Sequence, residues 1–121
     1  KEPATEDGDA QPRSASRRMR QLKKGAVRIK RQLDLHGLVK DEALRRLAHF
    51  IESAAAQGLE AVLVITGKGN NSPDGPVLPA AVEQWLRTAG RGRVAEFHPA
   101  PRDQGGRGAL VVFLRAGGVR T

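Results

Sequence analysis

Along this chain the apolar residues recur with a changing period, and the period separates strands from helices. Between residues 27 and 35, Val27, Ile29, Leu33 and Leu35 stand apart from Arg28, Lys30 and Asp34. That alternation predicts a strand over at least Arg31–Leu35, ended by Gly37. From 40 to 57 the apolar positions move to helical spacing, at Ala43, Leu44, Leu47, Ile51, Ala54 and Ala55. Asp41 and Glu42 fall in the first turn, where the helix dipole favours negative charge, and Gly58 stands where a C-cap belongs. No Ser, Thr or Asp marks the start. Residues 60–66, EAVLVIT, form a short apolar run rich in β-branched residues, the pattern of a strand buried on both faces. GKGNNSPDGP is a loop. A second helix is predicted over 77–89, with Pro79 tolerated in its first turn and Leu78, Val82, Trp85, Leu86 and Ala89 facing inward. RVAEFH (93–98) and ALVVFLR (109–115) read as two further strands, separated by the loop PAPRDQGGRG.

The predicted order is β-α-β-α-β-β, an α/β fold. Strand–helix–strand units imply right-handed crossovers and a mostly parallel four-stranded sheet with two main helices. The loop 99–108 is short enough for a hairpin, which would make one edge pair antiparallel. Residues 1–15 are rich in Glu, Asp, Pro, Ala and Ser and read as disordered. Residues 16–24, SRRMRQLKK, form at most a short basic helix that orders on a partner. The expected plan is a basic N-terminal arm over 1–30, one domain over 31–116 and a tail over 117–121.

Charge distribution sharpens this picture. The chain carries +8, yet nine of its 21 basic residues and none of its 13 acidic ones lie between Pro12 and Arg31, so the remainder sums to −1. Such a run suits phosphate backbones or an anionic membrane surface. Its few bulky apolar residues (Met19, Leu22, Val27 and Ile29) are too sparse for a membrane-anchoring helix, which favours nucleic acid. No apolar run approaches the ~18 residues of a membrane span. KEPATEDGDA has no apolar core, unlike a signal peptide, and the missing initiator Met points to a longer natural chain. The absence of cysteine excludes disulfides and thiolate chemistry and fits a cytoplasmic protein.

Two short stretches carry the candidate chemistry. In LDLHG (33–37), Asp34 and His36 are two apart on a strand and project to one side, with Leu33 and Leu35 on the other. Open α/β sheets bind ligands beyond the carboxyl ends of their strands, where this pair falls. TGKGN (66–70) follows the second strand and reaches the same rim if the two strands are parallel. Its glycines let backbone N–H groups approach an anion, and Lys68 adds charge. Thr66, Gly67, Gly69 and Asn70 are therefore candidate phosphate contacts. Arg102 and Arg107 join them if the last loop is a hairpin, and Arg17, Arg18, Lys23 and Lys24 represent the arm. Each stretch alone has a plain structural explanation, a solvated strand end or a glycine turn. His49 falls mid-helix, and His98 closes the third strand without a clear role. Three scattered histidines and no cysteine give no zinc set, and no G-x-S-x-G marks a serine nucleophile. Phe50, Trp85, Phe97 and Phe113 all fall at core-like positions, which argues against a base-stacking platform.

LDLHG, the helix opening VKDEAL, VLVITGKG (62–69) and GGRGALVVFL (105–114) resemble the Smr (small MutS-related) domain over roughly residues 31–115. The lead-in RQLKKGAVRIKRQLDLHG looks like that of stand-alone bacterial members. The resemblance implies a two-layer α/β sandwich similar to the C-terminal domain of translation initiation factor 3. It implies nucleic-acid binding and, in many members, endonuclease activity on DNA or RNA, with some linked to messenger RNA on collided ribosomes. The family's D-x-H pair falls on Asp34 and His36, and its G-x-G loop on Gly67-Lys68-Gly69. Several members have His where this chain has Thr66, and many have Thr or Ser where it has Val39.

The expected function is therefore an endonuclease acting on RNA or nicking DNA, with Asp34, His36 and Lys68 as the catalytic residues. The alternative is a non-catalytic nucleic-acid- or ribosome-binding module. RNA transesterification needs no obligatory metal. DNA would need an activated water, most simply on Mg²⁺ or Mn²⁺ held by Asp34. A monomer is expected.

Overall fold

The computed structural model describes residues 13–67, 77–104 and 106–115 (backbone only for 13–16 and 107). Its elements run α1 (Arg13–Lys23), β1 (Ile29–Asp34), α2 (Lys40–Ala56), β2 (Ala61–Ile65), α3 (Val77–Arg87), β3 (Val94–Pro99) and β4 (Ala109–Leu114). Two 3-10 turns, Arg102–Gln104 and Gly106–Gly108, lie between β3 and β4. From β1 onward this is the expected succession. Among the described residues, no helix is long and apolar enough to cross a membrane.

The four strands form one sheet in the order β1-β2-β4-β3. β1 and β2 pair in parallel, with Asp34 opposite Ile65 at their carboxyl ends. β4 runs antiparallel to both β2 and β3. The sheet is thus mixed rather than mostly parallel: β1, β2 and β3 share a direction, but two of the three pairings are antiparallel. The cause lies in the last connection. A parallel return needs a crossover of a dozen residues or more, and the loop between β3 and β4 is shorter. β4 therefore folds back as a hairpin. With all six side chains buried it takes an interior position, and β3, which carries Glu96 and His98, is left at the edge.

Both α2 and α3 cover one face of the sheet. Leu47, Phe50 and Ile51 of α2 and Val82 and Leu86 of α3 pack with Leu35, Val62, Val64, Leu110 and Val112. Val39 precedes α2 without a side-chain cap. Gly58, at φ +74°, ends that helix by returning N–H bonds to its last turn, as a C-cap glycine does.

The opposite face carries a third layer that the two-layer reading lacks. α1 is ordered against this sheet rather than waiting for a partner. Leu22 is buried there, with Met19 beside it, among Ala61, Leu63, Val111 and Phe113. β2 and β4 are apolar on both faces, so their second face also requires a cover.

β1 changes faces partway along. Ile29 pairs with Ala61 and packs on the α1 side, while Leu33 pairs with Val64 and packs under α2. A register shift between Ile29 and Gln32 inserts the extra residue that makes the switch.

Candidate nucleic-acid-cleavage site

β1 ends at Asp34, and the next three residues turn the chain toward α2. Leu35 is fully buried and its N–H donates to the Ile65 carbonyl at 2.7 Å, so the motif is anchored from beneath. Asp34 Oδ1 accepts the backbone N–H of His36 at 3.1 Å, an Asx turn, and the same oxygen lies 2.6 Å from His36 Nδ1. Gly37 follows at φ +81°, a conformation that favours glycine. One carboxylate oxygen thus sets both the backbone and the ring of His36. The hydrogen bond from the imidazole, then that from the backbone N–H, holds the Asp34 carboxyl below its ordinary range. An ionised carboxylate only accepts, so Nδ1 carries the hydrogen and Nε2 of the neutral ring keeps its lone pair. The His36 side chain is 68% exposed, and no described residue hydrogen-bonds Nε2.

The second strand delivers its loop to the same rim, as the parallel pairing requires. Thr66 is buried and its hydroxyl donates to the Gly67 carbonyl at 3.1 Å. Gly67 sits at φ +78°, and a Cβ there would lie 3.3 Å from His36 Cβ. Gly67 is therefore the wall against which His36 rests. The third contribution comes from the Gly106–Gly108 turn. The Gly108 carbonyl accepts the N–H groups of both Thr66 and Gly67, at 2.9 and 3.0 Å. A Cβ on Gly108 would fall 3.4 Å from the Gly67 carbonyl carbon. Three turns from distant parts of the sequence are thus packed side by side, with His36 resting on Gly67 and Gly67 held by Gly108.

The expected residues divide accordingly. Asp34, His36, Thr66 and Gly67 come together. Lys68, Gly69 and Asn70 lie outside the described residues, as does the side chain of Arg107, although its backbone belongs to the turn beside Gly67. Arg102 is exposed in the preceding turn, and no described hydrogen bond or ion pair ties it to Asp34 or His36. Arg17, Lys23 and Lys24 are exposed on or just after α1. Arg18 is engaged elsewhere, 3.3 Å from Glu96 of β3. His98 lies on β3, at the opposite edge of the sheet from β1, with its ring edge-on to Phe113. Gly108 was not singled out from sequence as part of the site. Its signal was present in GGRG, where glycines precede a fully apolar strand.

Among the described residues, no three His, Asp or Glu side chains are grouped to hold a metal. Among the described residues, Asp34 is the one carboxylate in contact with His36. A separate cavity of about 500 Å³ opens at the other end of β1 and β2, lined in part by Arg28, Lys30 and Glu60, away from this pair.

A mixed sheet with a D-x-H turn and a glycine loop on one rim defines an α/β domain of a specific kind. Residues 33–115 match the sequence profile of the Smr domain, and the chain belongs to that family. It is 34% identical over 108 residues to "Endonuclease MutS2" of Lactobacillus johnsonii, covering 88% of this chain and 13% of that protein. It is 32% identical over 96 residues to "Ribosome rescue factor SmrB" of Tolumonas auensis, covering 79% of this chain and 51% of that one. The chain therefore spans about half, or much less, of these relatives. The crystal structure of YdaL, a stand-alone small MutS-related protein from Escherichia coli, superimposes with a TM-score of 0.66 at 30% identity, over 80% of this chain and 73% of that one.

Proposed function

We propose that this domain is a nucleic-acid endonuclease that favours RNA, with His36 as its general base and Asp34 as the residue that positions it. One observation carries the reading. Asp34 Oδ1 holds Nδ1 at 2.6 Å, which leaves Nε2 as a basic nitrogen facing solvent. This is the arrangement of an oriented general base. The relatives named as an endonuclease and as a ribosome rescue factor support a nucleic-acid substrate.

On RNA the chemistry balances without a further reactant. Nε2 takes the proton of a 2′-hydroxyl, whose oxygen attacks the adjacent phosphorus. The bond to the 5′-oxygen breaks, that oxygen takes a proton from solvent, the imidazolium gives its proton back to solvent, and a 2′,3′-cyclic phosphate remains. Asp34 stabilises the imidazolium that forms. Lys68, next in the chain after Gly67, supplies the positive charge for the phosphorane in this reading, together with loop N–H groups. Arg17, Lys23 and Lys24 add sequence-independent phosphate attraction.

The test is cleavage of end-labelled single-stranded RNA and matched DNA, with and without EDTA. EDTA-resistant RNA cleavage that leaves a cyclic phosphate supports the reading. Metal-dependent DNA nicking replaces it with a hydrolytic one. Binding without cleavage of either replaces it with a binding module.

A further inference from the structure

β1 is an edge strand, and between it and α2 lies a cleft of about 500 Å³ that the site above does not use. Leu33 and Phe50 form its floor; Arg31, Arg45, Arg46 and His49 line its walls. Arg31 is locked in place, its guanidinium 4.9 Å over the Phe50 ring and hydrogen-bonded to Ser53 Oγ at 3.0 Å. Arg45 and Arg46 are exposed, and both pair with the single carboxylate of Glu42. The lining thus holds three guanidiniums and no carboxylate, and Glu42 pairs with only two of them, so the cleft keeps an excess of positive charge. It lies along the two elements that border the rim: β1 ends at Asp34, and α2 begins at Lys40, four residues after His36. Arg31 lies three residues before Asp34, roughly 10 Å along the strand.

We infer that this cleft is a phosphate-binding subsite for the single strand that flanks the cleaved bond, so that the substrate backbone passes from His36 down the open edge of β1. The inference rests on the nucleic-acid reading of the Asp34–His36 rim and adds to it a direction and a contact set. Guanidiniums suit phosphate because their forked donors engage two oxygens at once. Glu42 has a defined part. It holds Arg45 and Arg46 in the unliganded protein and competes with phosphate for them.

The experiment measures binding of a fluorescein-labelled twelve-residue oligouridylate by anisotropy, in the full chain carrying His36→Ala so that cleavage does not intervene. Adding Arg45→Gln and Arg46→Gln should weaken binding at least tenfold. It should also flatten the slope of log affinity against log salt by about 1.4, the value for two phosphate contacts on a single strand. Arg87→Gln with Arg91→Gln removes the same charge from the α3 side of the domain and should have a much smaller effect. Glu42→Gln should tighten binding several-fold, whereas Glu83→Gln, which breaks the comparable pair with Arg87, should not. Equal losses in the two arginine pairs, or equal gains in the two glutamate variants, overturn the subsite in favour of overall charge. If wild type cleaves nothing but the cleft variants lose binding, the subsite stands and the catalytic reading falls. Cleavage by wild type with binding indifferent to Arg45 and Arg46 gives the reverse. No binding at all removes both.

Discussion

On one face of the sheet, Leu35, Val62, Val64 and Val112 lie under two helices that bring Leu47, Phe50, Ile51, Val82 and Leu86 down onto them. On the other, Leu63, Val111 and Phe113 lie under α1, whose buried side chain, among those described, is Leu22. The strands present apolar residues to both sides, yet the covers are unequal. The first face is a closed core that fixes Leu35, and through it the turn carrying Asp34 and His36. The second is closed by a basic helix held by few apolar contacts and by the Arg18–Glu96 pair. One face therefore sets the geometry of the site, and the other seats the arm's charge on the domain.

Substitutions should separate the two faces by size of effect. Leu47→Ala, at a fully buried position under the sheet, should cost about 2–5 kcal/mol in urea denaturation, as filled core sites do. Leu22→Ala, at the rim of the thinner layer, should cost no more than about 2 kcal/mol, the lower end of that range. It should also raise hydrogen exchange in α1 alone. Equal losses would make α1 as integral as α2. Arg18→Gln removes a part-buried ion pair whose arginine is solvent-accessible, and should change stability by about 1 kcal/mol, the upper end for accessible pairs. The smallest effect is the titration of Asp34. Its carboxyl should titrate below 3.8, and His36→Ala should move it back toward that value by removing the imidazole bond. A depressed carboxylate stabilises the folded turn above its ordinary value, and that contribution is lost as pH falls through the lowered one. Carbon-13 NMR of Asp34 reads both, and an unmoved midpoint would mean that the ring does not set it.

Much of this was legible because local pattern and fold agree. The helical spacing from Ala43 to Ala55, the glycine after it and the β-branched run of β2 each specify one element. The meeting of LDLHG with Thr66 and Gly67 also followed, since two strands joined by a helix are parallel and end at one rim. Other features were not legible for one shared reason: each depends on competition between distant segments. The position of β4 is decided by which strand buries best, and it displaced β3 to the edge. The ordering of α1 depends on Leu63, Val111 and Phe113 needing a cover, although the double-sided burial read from EAVLVIT already implied one. The register shift after Ile29 is likewise set by pairing with β2, so Ile29 and Leu33 look alike in sequence and face opposite ways. Within the site, Gly67 and Gly108 show the same limit, since only packing reveals that one supports His36 and the other holds the loop.

The central claim is that an imidazole oriented by Asp34 performs the chemistry on this rim. The direct measurement is single-turnover RNA cleavage by wild type, His36→Ala and Asp34→Asn, with affinity and folding stability recorded for each. The account predicts a loss of about 10²-fold or more for His36→Ala, the range of a general base. It predicts a smaller loss for Asp34→Asn and little change in binding or stability for either. Cleavage by His36→Ala at the wild-type rate would contradict it.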